Sequence, residues 1–179
     1  VTIPEGLTSI ASSAFNYVAP ETLTAARFPN GIGMSEKNLK TLIIPEGVTS
    51  IGSSAFTGCQ GLTSVTIPEG VTSIGGSAFP SLYSLKRVCI EDVGAWVRIQ
   101  FGGNEANPLE WASEGLYLNG EKITTVIIPE GVTTIPSYAF KNCSALISVT
   151  IPEGATSIGY KAFDGCSSLT SVTIPEGVT

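Results

Sequence analysis

The sequence contains no histidine, and this absence excludes several kinds of active site. Serine–histidine and cysteine–histidine nucleophile pairs need an imidazole base, and many metal centres need an imidazole ligand. A GxxxxGK[ST] loop for nucleotide phosphates is also missing. No spacing pairs two carboxylates for acid–base catalysis within the group Glu91, Asp92, Glu105, Glu110 and Glu114. We therefore expect no catalytic residue, no cofactor, no metal and no enzyme activity.

Positive charge and long apolar stretches are also scarce. The chain has 9 Lys and Arg against 15 Asp and Glu, a net charge of −6, and its basic residues are scattered from Arg27 to Lys161. No basic stripe is available to neutralise a phosphate backbone, which excludes nucleic acid as a partner. Thr, Ser, Gly and Pro interrupt every apolar stretch before the roughly 20 residues that a spanning helix needs. We expect this segment not to insert into a membrane.

A short repeated motif dominates what the sequence does contain. The fragment IPEG begins at Ile3, Ile44, Ile67, Ile128, Ile151 and Ile174. Ile44 and Ile67 are 23 residues apart, as are Ile128 and Ile151, and a period of this length is typical of a solenoid. Aligning the units by hand places strand cores near Thr2, Arg27, Ile43, Thr66, Cys89, Ile127, Thr150 and Thr173. Residues 91–125 lie outside this period, so we expect repeats at 1–90, an irregular insertion at 91–125, and repeats at 126–179.

Each unit has a pattern that predicts two short extended pieces and a tight corner. In V-T-I, the side chains of Val65 and Ile67 point inward and that of Thr66 points outward, because strand side chains alternate. Pro68 removes a ladder donor and ends the strand. VTSIG then supplies a second extended piece, and an Ala-Phe pair faces the core. We expect one internal ladder of stacked rings formed by Phe56, Phe79, Phe140 and Phe163.

The pattern LxxVxIPEGVTSIGxxAFxxC resembles the BspA-like variety of leucine-rich repeat, a family of bacterial cell-surface proteins. The resemblance covers nearly all of the chain. It implies a right-handed leucine-rich repeat solenoid, built mainly from short parallel β-strands with turns and short 3-10 segments. It also implies secretion, surface display and adhesion to host matrix proteins or to other cells. It implies no catalytic site and supplies no binding residues.

The insertion holds the largest rings of the chain: Trp96, Phe101, Trp111 and Tyr117. Asn119-Gly120 lies between alternating flanks and predicts a two-residue hairpin. The rings could recognise a partner or could fill the gap where the period breaks. We expect Trp96, Leu109 and Tyr117 to be structural, and Trp111 or the loop 102–107 to be the part available to a partner.

Three of the four cysteines occupy one position of the repeat: Cys59, Cys143 and Cys166. Leu82 holds this position in another unit, which favours a buried apolar side chain over a disulfide or a metal ligand. Cys143 and Cys166 would be near enough for a bridge, although parallel turns orient the pair poorly. Cys89 takes an outward position, and we expect its thiol to be the exposed one.

The acidic position of the IPEG corner forms a file along the repeats: Glu5, Glu46, Glu69, Asp92, Glu130, Glu153 and Glu176. A row of carboxylates raises the hypothesis of a Ca²⁺ site. Evenly spread carboxylates do not converge on one ion, and neighbouring charges about 5 Å apart repel by only about 1 kcal/mol in water. Solubility and protection of the sheet edge are therefore the favoured interpretation.

These observations favour a single repeat domain over 1–179, a fragment of a longer protein, that is secreted or displayed on a cell surface. The first hypothesis is a non-enzymatic adhesion module that binds a host or extracellular matrix protein, or a glycan, through its outward face. The residues expected to contact this partner are Thr66, Ile127, Thr150, Thr173 and Trp111. The alternative is a structural spacer that presents another domain. We also expect end-to-end self-association through the terminal turns.

Overall fold

The structure is a computed structural model that describes residues 8–11 and 40–178. The described strands are β1 Ser9–Ile10, β2 Thr41–Ile43, β3 Ser50–Ile51, β4 Ser64–Thr66, β5 Ser73–Ile74, β6 Arg87–Ile90, β7 Gln100–Phe101, β8 Gly115–Leu118, β9 Glu121–Lys122, β10 Thr125–Ile127, β11 Thr134–Ile135, β12 Ser148–Thr150, β13 Ser157–Ile158 and β14 Ser171–Thr173. A short helix α1 spans Val93–Trp96, and two 3-10 helices span Asn104–Ala106 and Pro108–Glu110.

The strands form four sheets, which fall into two arrays. The first array has a front sheet in the order β2-β4-β6-β8-β9 and a back sheet in the order β1-β3-β5-β7. The second array has a front sheet β10-β12-β14 and a back sheet β11-β13. Neighbouring strands are parallel except for β8 and β9. The predicted parallel solenoid is therefore confirmed.

One turn of the solenoid consists of a front strand, a corner, a back strand and a second corner. In β4, Val65 is buried between two half-buried residues, as the alternation predicts. The Pro68 carbonyl accepts a hydrogen bond from Val71 N at 3.3 Å, which closes the IPEG corner. Turns are then linked from one to the next, for example by Thr72 N donating to Thr49 O at 2.9 Å.

Among the described residues, the core runs along the inside of both arrays and consists of inward residues from Ile10 to Ala162. The expected single ladder of four phenylalanine rings is wrong. Phe56 and Phe79 stack with centroids 4.8 Å apart, and Phe140 and Phe163 stack at 5.4 Å. Residues of the insertion lie between these two pairs, since Phe79 N donates to Glu105 O of the insertion. The rings therefore form two separate stacks.

Residues 91–125 are more regular than the sequence suggests. Strand β7 pairs with β5, and β8 pairs with β6 over four residues from Arg87↔Gly115 to Ile90↔Leu118. The segment therefore adds a turn to the first array, and that turn is longer than the 23-residue period because it accommodates α1 and the 3-10 helices. The segment departs from the 23-residue period, as expected, but its strands β7 and β8 still pair with those of the preceding turn.

The predicted hairpin is present and ends the first front sheet. Strand β9 runs antiparallel to β8, with Leu118 opposite Glu121. Asn119 and Gly120 have φ values of 51° and 87°, the positive pair that a tight hairpin turn requires. Because β9 takes the edge of the first front sheet, β10 begins a second sheet instead of continuing the first.

The strand cores expected near Thr2 and Arg27 lie outside the described residues. At the other end, β14 is an edge strand, and Val172 in it is 40% exposed although its position in the repeat is an inward one. The expected end-to-end association through such turns stays a prediction.

Candidate functional site

The outward side chains of the front strands form a row on each array. In the first array, strand pairing places Ile43, Thr66, Cys89 and Tyr117 next to one another. In the second array, it places Ile127, Thr150 and Thr173 in a row. Neighbouring strands of a sheet are about 4.8 Å apart, so each row offers side chains at a regular spacing. We call these two rows the front face.

A second outward row lies two residues earlier in each front strand and consists mainly of hydroxyl side chains. In the second array it contains Thr125, Ser148 and Ser171. Ser148 Oγ donates to Thr125 Oγ1 at 3.3 Å. In the first array, Ser64 Oγ and Cys89 Sγ lie 3.8 Å apart. Such lateral contacts order the polar side chains that lie beside the front face.

Four of the five predicted contact residues lie on the front face, but not in one continuous row. Thr66 is half-buried on β4 of the first array, whereas Ile127, Thr150 and Thr173 are exposed on the second. The side chain next to Cys89 in the row is that of Tyr117, because β8 follows β6 in the sheet. The sequence alignment had placed Ile127 there. Ile127 lies on an edge strand and is 70% exposed.

Trp111 lies away from the front face, at the end of the second 3-10 helix. Its ring meets that of Tyr83 edge to face, with centroids 5.1 Å apart. Tyr83 is 74% exposed, whereas Trp111 is half-buried. Trp111 Nε1 is enclosed and has no hydrogen-bond partner among the described residues. The ring is thus only partly available to a partner.

Trp96 and Leu109 are buried, as expected, but Tyr117 is not part of the core. Its side chain is half-buried on the outward face of β8, and its hydroxyl donates to Glu114 Oε2 at 3.3 Å. Desolvation, followed by the neighbouring Glu114 charge, raises the pKa of Tyr117. The tyrosine therefore remains a donor at neutral pH. The expectation of a purely structural Tyr117 is wrong because β8 is a front strand.

Side chains of the insertion connect the two arrays. Trp96 Nε1 donates to Ala139 O at 2.8 Å, and Asn107 Nδ2 donates to Tyr138 O at 2.7 Å. Both acceptors are backbone carbonyls of the second array. Asn107 also accepts from Leu109 N at 2.9 Å, which holds its amide in place. We call this contact region the junction.

A charged group lies at the edge of the junction. Lys141 is largely buried and its ammonium donates to Glu110 Oε2 at 2.6 Å and to Asn104 Oδ1 at 2.5 Å. Asn142 Nδ2 donates to the same carboxylate at 3.3 Å. Both hydrogen-bond partners of the Lys141 ammonium come from the insertion, so this ion pair joins the arrays.

A second charged cluster lies on the outward face of the first array, and sequence reasoning missed it. Glu114 carboxylate oxygens lie 4.0 Å from Lys86 Nζ and 3.7 Å from an Arg87 guanidinium nitrogen. The Arg87 guanidinium also lies over the Tyr117 ring, 5.4 Å from its centroid. The Lys86-Arg87 pair is visible in the sequence. Its neighbours could be found only by recognising 113–118 as the next turn of the array.

All four cysteines lie in the described ranges, and none of them forms a disulfide. Cys59 and Cys143 are buried, and Cys89 and Cys166 are partly exposed, so Cys89 is not the only accessible thiol. Burial raises the pKa of Cys166 to about 11, and it raises the pKa of Cys143 further. Cys166 Sγ donates to Phe140 O at 3.1 Å. Nothing in these environments activates Cys143 or Cys166 as a nucleophile.

The acidic file of the IPEG corners is exposed from Glu46 to Glu176, and Glu5 lies outside the described residues. The structure places the carboxylates of Glu46, Glu69, Glu130 and Glu153 on the surface. Asp92 has a local role, since its side chain accepts from Ala95 N at 2.5 Å and caps α1. Within 8–11 and 40–178, no three His, Cys, Asp or Glu side chains converge as a metal site. No helix in the same ranges has the length and apolar character to cross a membrane.

Parallel turns of about 23 residues, each with an inward apolar set and an outward polar row, define a leucine-rich repeat solenoid. The sequence profile of the BspA type leucine rich repeat region matches residues 28–97 and 113–179, in six copies. This match covers more than half of the chain, and the chain belongs to that family. No curated protein matches the chain by sequence.

Solved structures of leucine-rich repeat proteins were also found. A T. pallidum leucine rich repeat protein, TpLRR, is 25% identical with a TM-score of 0.49, and the match covers 97% of this chain and 67% of that one. A leucine rich cell surface protein of Faecalibacterium prausnitzii A2-165 is 23% identical with a TM-score of 0.42, covering 94% and 57%. The pneumococcal vaccine antigen PcpA is 17% identical with a TM-score of 0.40, covering 96% and 57%. The chain thus spans about three fifths of the length of the last two.

Proposed function

We propose that the chain is a non-enzymatic, surface-exposed module of a secreted or cell-surface bacterial protein that binds an extracellular matrix protein, or a glycan, through its front face. The observation that supports this proposal most directly is the ordered outward row of each front sheet. Ile127 is 70% exposed and Ile43 is 50% exposed. The other members of their rows are Thr66, Cys89 and Tyr117 in the first array and Thr150 and Thr173 in the second. Exposed apolar side chains on a rigid polar surface suit recognition of another molecule.

Family membership supports the same proposal, because stacked repeats create the extended surfaces that repeat proteins use for binding. The lack of histidine and the raised pKa values of Cys143 and Cys166 argue against catalysis through an imidazole or through these two thiols. We expect Thr66, Thr150 and Thr173 to add polar contacts around the two isoleucines. Trp111 would contribute only if a partner also reached the loop beside Tyr83.

The test is a binding assay against immobilised matrix proteins and glycans, with variants that change only the front face. Ile127→Arg and Thr150→Arg place bulk and charge on exposed positions, where folding stability should change by no more than about 0.5 kcal/mol. Gln100→Arg is the matched control, since Gln100 is exposed on the back sheet. We expect both front variants to lose binding and the control to retain it.

The alternative is a structural spacer that holds another domain of a larger surface protein. The predominance of small hydroxyl side chains in the rows favours it, because such side chains give little binding energy per contact. A chain that binds no member of the panel, or whose binding is insensitive to Ile127→Arg and Thr150→Arg, would contradict the binding proposal and favour the spacer.

A further inference from the structure

A groove lies at the amino ends of the parallel strands on the first front sheet. It has a volume of about 370 Å³ and is lined by Thr41, Thr63, Ser64, Lys86 and Arg87. These residues begin or immediately precede β2, β4 and β6. The backbone amides along this edge are already used, since Ser64 N donates to Lys40 O and Arg87 N donates to Thr63 O. A ligand would therefore meet side chains: hydroxyls and two cations.

The groove is a local concentration of positive charge in an acidic protein. Lys86 and Arg87 line it, and exposed Lys40 immediately precedes its residue Thr41. The chain has only 9 Lys and Arg in total against a net charge of −6. The corresponding positions of β12 are Ile147 and Ser148, which carry no charge. The charge is therefore a property of this turn and not of the repeat.

The two cations are held in position but are only weakly neutralised. Glu114 is their acidic neighbour at 4.0 and 3.7 Å, and all three side chains are more than one third exposed. Exposed pairs at such distances contribute little and exchange readily with other carboxylates. The Tyr117 ring beneath the Arg87 guanidinium limits its freedom without using its charge. Glu114 thus occupies the place that a carboxylate of a ligand could take.

We propose that this groove binds acidic side chains of a partner polypeptide, and that Glu114 is an intramolecular competitor for the same cations. The proposal rests on the proposed function, since it specifies the chemistry of the partner. Charge complementarity selects an Asp- or Glu-bearing segment. A polypeptide is favoured over a saccharide because, among the described residues, no aromatic ring lines the groove as a stacking platform, and Arg87 covers the nearby face of Tyr117.

Fluorescence anisotropy with a labelled hexaglutamate peptide tests the proposal on the whole chain at low ionic strength. Removing both charges with Lys86→Gln and Arg87→Gln should weaken binding by about fivefold or more, the equivalent of one or two lost exposed ion pairs. Lys161→Gln is the matched control, since Lys161 is exposed and lies 3.8 Å from Asp164 at the far end of the chain. The control should bind as the unaltered chain does.

Glu114→Gln gives the opposite and more diagnostic result. Removing the competing carboxylate should tighten hexaglutamate binding by about two- to fivefold, with Lys86 and Arg87 unchanged. A heparin disaccharide serves as the saccharide arm. Equal affinity of all variants for the peptide would overturn the proposal. The proposal would also be overturned if the peptide did not bind and the disaccharide bound in a way that depends on Lys86 and Arg87. A weakened Glu114→Gln variant would show that this carboxylate takes part in binding and would overturn its role as competitor.

The matrix panel separates this proposal from the broader one. Ile127→Arg could lose binding to the matrix panel while all groove variants bind the peptide equally. That result would support the front face as the binding surface and reject the groove as a peptide site. Peptide binding that depends on Lys86 and Arg87, in a chain that binds nothing on the panel, would support the groove and remove the proposed matrix partner.

Discussion

Two tryptophans that look equivalent in the sequence have different environments at the residue scale. Trp96 is buried and its indole N–H donates to Ala139 O, whereas Trp111 lies half-buried against exposed Tyr83. We expect Trp96→Ala to lower the free energy of unfolding by about 3–5 kcal/mol, because a cavity forms and a backbone carbonyl loses its donor. Tyr83→Ala removes an exposed ring whose recorded contact is the edge-to-face pair with Trp111, so it should cost no more than about 1.5 kcal/mol. Denaturant unfolding of the two variants measures both, and comparable losses would contradict the assignment.

Thiol reactivity at the residue scale follows from burial. The pKa of Cys166 is about 11, against a reference value of 9.0 for a cysteine thiol. At pH 8 the fraction of Cys166 in the thiolate form is therefore about a hundredfold lower than for the reference thiol. We expect iodoacetamide to label Cys166 and the more buried Cys143 far more slowly in the native protein than in denaturant. Mass spectrometry of the labelled chain, with the denatured chain as control, measures this. Native labelling of Cys166 at the denatured rate would show that its thiol is solvated.

The hairpin β8–β9 determines the break between sheets at the element scale. Gly120 has φ = 87°, a backbone conformation that costs a residue with a Cβ about 1–2 kcal/mol. We expect Gly120→Ala to destabilise the protein by about that amount. Gly154→Ala is the control, because Gly154 lies in a corner without positive φ and has open space where a Cβ would be. Its effect should be neutral or slightly stabilising, and equal effects of the two changes would contradict the assigned turn.

The elements divide into those that local pattern predicts and those that it does not. Periodicity predicted β4 and the IPEG corner at Pro68, because each repeats an apolar alternation and a turn chemistry that depend on a few adjacent residues. The hairpin signal at Asn119-Gly120 predicted β8 as a hairpin strand, but its parallel pairing with β6 was missed, since Gly115 to Leu118 lacks the V-T-I pattern of the repeat. For the same reason the Lys86–Arg87–Glu114 cluster was not foreseen. Pairing across 28 residues in an interrupted repeat is a tertiary property.

At the scale of the whole molecule, the two arrays are joined by side chains and not by a sheet that continues from one array into the other. Asn107 is 1% exposed and donates to Tyr138 O while accepting from Leu109 N. Close packing adds to this, since a Cβ on Gly94 would lie 2.9 Å from Pro129 Cγ of the second array. The insertion therefore acts as an adaptor: its backbone continues the first array, and its side chains contact the second.

Removing one of these side chains tests the adaptor role. We expect Asn107→Ala to lower the free energy of unfolding by about 1–3 kcal/mol, because buried carbonyl and amide groups lose their partner. Gln60→Ala, at an exposed position of the first array, should change it by no more than about 0.5 kcal/mol. Denaturant unfolding measures both variants. A loss for Asn107→Ala as small as that for Gln60→Ala would show that the junction does not depend on this amide.

The same division separates the front face into two rows that a large partner would have to contact together. Ile43 and Tyr117 belong to the first array, and Ile127 and Thr150 belong to the second. Because the junction joins the arrays through buried groups such as Lys141, both rows should act as one surface. The central claim is that this surface, and not a chemical centre, is the functional part of the molecule.

Hydroxyl-radical footprinting tests that claim most directly, with the intact chain alone and bound to the matrix protein for which it has the highest affinity. The account predicts that binding protects the exposed side chains of Ile43 and Ile127, and the half-buried side chain of Tyr117, from oxidation. Tyr160, which is 65% exposed near the back strand β13, should be oxidised at the same rate with and without the partner. Protection of Tyr160 with unchanged oxidation of Ile43 and Ile127 would contradict the account.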